Sequence, residues 1–170
     1  MDIVVEAPPG SGIGSGQYEF QIYAWSYLGL KPDVRLSVVS TDDRIEENLL
    51  IILQSAETSD VRVALENDIQ STLQGTHYQK WLAAREHYMQ DVREECFYRL
   101  DQMNHSFRKK LAIVEERIRK ANDENIIRMR VGEKANLERK YEEQKHRVED
   151  TIRKADIHSE LLVRGKLLVK

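Results

Sequence analysis

Nine basic residues fall between positions 108 and 134: Arg108, Lys109, Lys110, Arg117, Arg119, Lys120, Arg128, Arg130 and Lys134. Five acids (Glu115, Glu116, Asp123, Glu124 and Glu133) offset them to a net charge of +4. Side chains of this kind hold phosphates as point charges and carry no sequence information. Arg117, Arg119, Lys120, Arg128 and Arg130 are therefore the candidate nucleic-acid contacts, weak and non-specific. No aromatic residue sits among them to stack a base. An ordinary solvated helix surface has the same composition, so the signal is one of charge alone.

Other chemistries find less support. The five histidines, at 77, 87, 105, 146 and 158, form no i, i+4 pair and no His-Glu-x-x-His motif, so no metal site is expected. Cys96 falls on an apolar helical row with no base paired to it by pattern, which reads as a buried structural thiol. Glu94-Glu95, Glu115-Glu116 and Glu142-Glu143 lie among Lys and Arg at helical spacing and read as solvated ion-pair faces. The stretch from Pro8 to Gly16 is rich in glycine, but a phosphate loop needs a Lys after its last glycine, and Gln17 stands there. A dinucleotide-binding loop would open a helix, whereas this one precedes a strand-like run. Residues 1–16 read as a flexible linker or an expression-derived junction. No catalytic or cofactor-binding residue is assigned.

The elements that would position the basic patch follow from periodicity. From Gln17 the apolar pattern has period two, with Tyr18, Phe20, Ile22 and Ala24 on one face and Glu19, Gln21, Tyr23 and Trp25 on the other. After Gly29 and Lys31-Pro32-Asp33, a second run alternates Val34, Leu36 and Val38 against Arg35, Ser37 and Val39. The two runs predict an antiparallel hairpin with one face buried and the other at least half covered. Ser40-Thr41-Asp42-Asp43 supplies helix-capping chemistry, and Ile45, Leu49, Ile52 and Leu53 form a stripe, so a helix over about 43–55 is expected to cover the hairpin. Ser59-Asp60 would cap a second helix with the stripe Val61, Leu65, Ile69 and Leu73, ended or weakened by Gly75 and restarted at Thr76.

From His77 to Ala155 there is no proline. Apolar residues recur at Val92, Cys96, Leu100, Met103, Phe107, Leu111, Val114 and Ile118. Trp81, Val92, Met103 and Val114 stand eleven apart, a rhythm that keeps a seam almost straight along a helix. A second set, Ile126, Leu137 and Val148, with Tyr141 and Ile152, is shifted by one residue, or ~100° around a helix. The shift falls at Ala121-Asn122-Asp123-Glu124, where Asn122 and Asp123 are good caps. This predicts two antiparallel helices turning near residue 122; the alternative is one continuous helix with a local stutter. The tail from Leu161 to Val169 reads as a strand with a kink or turn at Gly165. A continuous helix over 77–154 would span ~117 Å and carry that strand far from its sheet, whereas a turn brings it back.

The fold class expected is thus α+β: a small antiparallel β base with short helices at 17–76, a long antiparallel helical hairpin, or coiled-coil arm, at 77–156, and a C-terminal strand at 157–170 returning to the base. Charge divides the chain in the same places, with a net of −8 over 1–76, +3 over 77–156 and +2 over 157–170. Charged residues make up 32% of the chain, more than a compact domain needs, as expected where long helices expose much of their surface. No apolar run approaches the ~18 residues of a membrane span, the acidic N-terminus lacks the basic start of a signal peptide, and one cysteine excludes a disulfide framework. A cytoplasmic protein with no membrane partner is the expectation.

A resemblance adds a function. Trp81, Arg85, Tyr98-Arg99-Leu100, the run from Ala121 to Arg130, Ala155-Asp156-Ile157-His158 and the stretch from Leu162 to Val169 form an ordered set. Over residues 77–170 this set resembles the C-terminal region of bacterial Swi/Snf-type superfamily II helicase-like proteins, where a charged coiled-coil segment precedes a short final strand. The resemblance is one of pattern and order and carries no catalytic residue. It implies that the chain is the tail of a longer ATP-dependent nucleic-acid translocase, acting as a non-catalytic accessory module toward DNA, the motor domain or a partner protein. The phosphate loop, the Asp-Glu-x-His box and the arginine-finger context of a motor are missing from this sequence. The chain alone is not expected to be an enzyme. A coiled-coil scaffold that homo-oligomerises through the arm is the competing reading.

Overall fold

The computed structural model describes residues 2–59 and 64–170. The chain forms two units, one comprising the sequence up to Glu86 together with Ile157–Lys170, the other His87–Asp156.

The first unit is built on a five-stranded sheet. Its strands are β1 (Asp2–Glu6), β2 (Gly16–Leu28), β3 (Asp33–Ser40), β4 (Glu57–Thr58) and β5 (Asp156–Val169), in the order β3-β2-β5-β1-β4. The expected hairpin is present: β2 and β3 pair antiparallel from Phe20↔Ser40 to Tyr27↔Asp33. Gly29, at φ 118°, makes the turn in a conformation that a side chain would strain. The C-terminal strand does return to this sheet, between β2 and β1.

Two expectations are corrected here. The first sixteen residues are not all linker, because Asp2–Glu6 form β1, with Val5 in the core. The glycine-rich segment after it is tied down: Ile13 packs on the core, Ser15 Oγ donates to the Val169 carbonyl (3.2 Å) and the Tyr18 hydroxyl to that of Gly14 (2.9 Å). The base is also not purely antiparallel. β1 runs parallel to β5, from Asp2↔Arg164 to Glu6↔Leu168. A parallel pair needs a long crossover connection, and here all the intervening chain supplies it.

Both faces of the sheet are covered. α1 (Asp43–Leu53) places Ile45, Leu49 and Ile52 on one face, against Phe20, Ile22, Val5, Leu167 and Val169. Its N-cap is Asp42, whose carboxylate accepts from the Arg44 N–H, as the capping chemistry anticipated. The other face meets the start of α2 (Asn67–Lys120), where Leu73 and Ile69 pack on Tyr23, Val39 and Trp25.

The expected short second helix is corrected as well. Asp60 and Val61 lie outside the described residues, Leu65 precedes the helix, and α2 runs through Gly75 without a break. A Cβ at Gly75 would meet nothing, so the glycine costs only its intrinsic helix penalty, which packing of Leu73 and His77 on either side outweighs.

The second unit is a helical hairpin, formed by the later part of α2 and by α3 (Glu124–Lys154). Its pairings converge on the turn: Phe107 on Tyr141, Glu115 on Lys134, Arg117 on Glu133. That is an antiparallel pair, and the single continuous helix is excluded. The seam on α2 is the one expected from its rhythm, with Val92, Cys96 and Val114 buried and Leu100, Met103, Phe107, Leu111 and Ile118 partly so. On α3 the inward row includes Ile127, Leu137, Tyr141, Val148 and Ile152. Ile126, expected on that row, is 46% exposed, and its neighbour Ile127 takes the place. Counting back eleven from Leu137 lands on Ile126, whereas the half-buried row steps back ten, through Lys134 and Arg130, to Ile127. Among the described residues no helix is long and apolar enough to cross a membrane.

Candidate functional site at the hairpin turn

The turn is fixed by one residue. α2 ends at Lys120 and α3 begins at Glu124, with Asp123 as its N-cap. The Asp123 backbone is extended, and its carboxylate accepts from the N–H groups of Asn125 (2.8 Å) and Ile126 (3.2 Å). This satisfies two of the orphan donors at the start of α3 and suits the helix dipole. The cap sets where the basic residues on either side stand.

All five candidate contacts lie around this turn, but each already has an acidic partner. Glu116 pairs with both Arg119 and Lys120, Glu133 with Arg130 (2.6 Å) and at longer range with Arg117 (4.0 Å), and Glu124 with Arg128 (3.4 Å). Five cations thus share three carboxylates, acids already counted in the net charge of the stretch, so each cation has a carboxylate at hand and a positive surplus remains. These are surface pairs and bind their partners weakly. The side chains of Arg119, Lys120 and Arg128 remain about three-quarters exposed, whereas that of Arg130 is 30% exposed. One turn further along, Glu115 holds Lys134 at 2.7 Å, and this hydrogen bond raises the lysine's pKa.

The structure adds apolar residues that charge counting passed over. Ile113 and Ile126 are 52% and 46% exposed, and with Ala112 and Ala121 they floor an open groove of about 640 Å3. Arg117, Lys120 and Arg130 line the same groove, as does Glu116. Arg119 and Arg128 do not line it. Ile113 could have been noticed as an isoleucine one step off the seam residue Val114; Ile126 was hidden by being counted into the seam.

A second cluster, in the sheet unit, holds the buried polar groups. The Glu19 carboxylate accepts from Gln70 Nε2 (2.6 Å), the Glu66 N–H (2.9 Å) and Lys166 Nζ (3.1 Å). Burial pushes this carboxyl up, but those donors outweigh it and hold the pKa below its ordinary value. Gln21 donates to the Gln70 carbonyl and side chain and accepts from the Tyr23 hydroxyl. His77 stacks on Tyr23 and is pushed down by burial to a pKa of about 4.

Ser159 Oγ lies 3.1 Å from His77 Nε2, the separation of a nucleophile and its base. The same nitrogen, however, already accepts from the Trp25 indole at 2.9 Å. An indole N–H can only donate, so the imidazole lone pair is engaged and cannot serve freely as a base. Every buried side-chain polar atom among the described residues has a partner, which marks this cluster as one that orders the fold.

No protein-family model matches the chain, and comparison with curated proteins finds no relative. The geometry must carry the functional reading.

Proposed function

We propose that this chain is a non-catalytic accessory module of a helicase-like ATP-dependent nucleic-acid translocase of the bacterial cytoplasm, and that the helical hairpin is its working part. The observation behind this reading is the thinness of the hairpin's seam. α3 is 31 residues long, and none of them is buried. Two helices joined along one narrow row leave most of their surface open, and long amphipathic helices of this kind find their remaining stability in a partner. Such a unit grips, and the groove it carries is open to solvent rather than enclosed. The basic residues around the turn, Arg117, Arg119, Lys120, Arg128 and Arg130, are the part that would reach phosphate if the partner were DNA.

The competing reading is self-association through the same helices. Phe97 and Tyr98, 61% and 67% exposed on α2, favour it, since adjacent exposed aromatics are costly on a free surface.

One pair of measurements separates the two. The chain is added in trans to a Swi/Snf-type motor, and DNA-stimulated ATP hydrolysis by that motor is recorded. A several-fold change, lost when residues 87–156 are replaced by a short linker, is the outcome expected of an accessory module. An unchanged motor, together with concentration-dependent dimerisation in analytical ultracentrifugation, would favour the scaffold.

A further inference from the structure

We infer that the groove beside the hairpin turn is a docking site for an acidic, amphipathic protein segment. The inference rests on the hairpin being the part of the module that grips, and it names what is gripped.

The groove has two chemistries in one place. Its floor is apolar, with Ile113 and Ile126 about half exposed and Ala112 and Ala121 completing it. Neither isoleucine is needed by the seam, whose positions at this end are held by Val114, Ile118 and Ile127. The charged lining is mainly basic: Arg117, Lys120 and Arg130 line the groove, their heads held in weak surface pairs with Glu116 and Glu133 that a better-placed carboxylate can replace. A partner that fits must bring apolar side chains for the floor and carboxylates for the basic lining. A short helix with apolar residues at i and i+4 and acids around them does both.

A nucleic-acid backbone complements only half of this. It offers charge, but nothing that gains by covering two isoleucines, and no aromatic lines the groove to receive a base. The acids interleaved at the turn point the same way. Glu116 lines the groove and Glu133 reaches two of its cations, so the field there alternates in sign. A polyanion of uniform charge meets repulsion at those carboxylates. A peptide can place its own acids opposite the arginines and avoid them.

The test uses the full chain and a fluorescent helical peptide carrying leucines at i and i+4 amid Asp and Glu. Anisotropy is measured at physiological salt, beside a peptide of equal charge with both leucines changed to serine, and beside a DNA duplex. Two variants are compared with the wild type: Ile113→Ser/Ile126→Ser, and Arg117→Gln/Lys120→Gln/Arg130→Gln. Apart from the half-buried Arg130, these positions lie outside the seam, and circular dichroism checks that both variants keep their helices. The expected result is binding of the leucine peptide, weakened about tenfold or more by either variant and by removal of the leucines. Equal binding of the two peptides, or absence of peptide binding, overturns the proposal. Tighter binding of the duplex, unaffected by the serine variant, also overturns it and makes the turn a phosphate-binding patch. If the motor still responds to the chain while the groove variants change nothing, the hairpin's role stands and only the groove assignment falls.

Discussion

Phe107 of α2 and Tyr141 of α3 lie face to face across the hairpin, with ring centroids 4.2 Å apart and planes within 13° of parallel. The fully buried residues of the seam, Val92, Cys96 and Val114, are small, so two stacked rings add substantially to the hairpin's cohesion. Phe107→Ala should destabilise the hairpin by ~2–3 kcal/mol, toward the low end for a large-to-small change because the rings are only partly buried. Hydrogen exchange read separately over residues 87–156 and over the sheet will show it. Protection is expected to fall in the hairpin and hold in the sheet. A double-mutant cycle with Tyr141→Ala should return a coupling of ~0.5–1.5 kcal/mol.

Gly165 leaves no room for a side chain. A Cβ there would stand 2.9 Å from Phe20 Cε1 and 3.0 Å from Ile3 Cγ1, and closer still to Phe20 Cζ. Phe20 is fully buried and has nowhere to move. Gly165→Ala should therefore cost ~1–3 kcal/mol by overpacking. Urea denaturation in a Phe20→Leu background provides the check: the alanine should cost less there, and an equal cost in both backgrounds would disprove the steric account.

Lys166 and Glu19 form a buried ion pair at 3.1 Å, and Lys166 also donates to the Ala64 carbonyl. Lys166→Met should destabilise the sheet unit by ~3–5 kcal/mol, because it strands a buried carboxylate. The double change Lys166→Met/Glu19→Gln should be milder than Lys166→Met alone, since a neutral amide needs no counter-charge. Thermal unfolding of the three proteins would decide this.

Stability should fall with acid through His77. Its pKa is about 4 in the folded chain against an ordinary 6.5. The folded state keeps the ring neutral, while the unfolded state takes up a proton as pH drops below 6.5. The stabilisation is therefore complete above pH 6.5 and is lost progressively as pH falls toward 4. The loss attributable to this ring is on the order of 2 kcal/mol. His77→Gln keeps an acceptor for the Trp25 indole but does not titrate. The difference in urea midpoint between wild type and variant should shrink between pH 7 and pH 4.5, and a constant difference would remove His77 from the account.

Much of the architecture could be read before any coordinates. Asp42 and Asp123 cap helices because short acidic side chains next to apolar rows have few other uses, and the row from Val92 to Ile118 lies where its rhythm put it. What escaped was decided by distant partners. Asp2–Glu6 are too short and too near a proline-glycine run to signal a strand, and they become one because β5 and β4, both distant in sequence, pair on either side of them. Glu19 and Gln21 were placed on a covered face, yet their partners Lys166 and Gln70 cannot be deduced from alternation, which says where a side chain points and nothing of what it meets. The groove is half legible: its charges stand out as a cluster, while Ile126 counts into the seam and Ile113 belongs to no row.

The position of β5 has a consequence for how the protein is made. This strand lies inside the sheet, between β2 and β1, yet it is made after β1, β2, β3, β4 and all three helices. The β2–β3 ribbon and α1 can associate early, and β1 can pair with β4, but the strand that joins these two parts of the sheet does not yet exist. Meanwhile the hairpin, whose contacts are local around residues 121–123, can close on its own. Translation therefore delivers a finished grip before a finished base, and arrival of the fourteen residues of β5 is the step that closes the sheet.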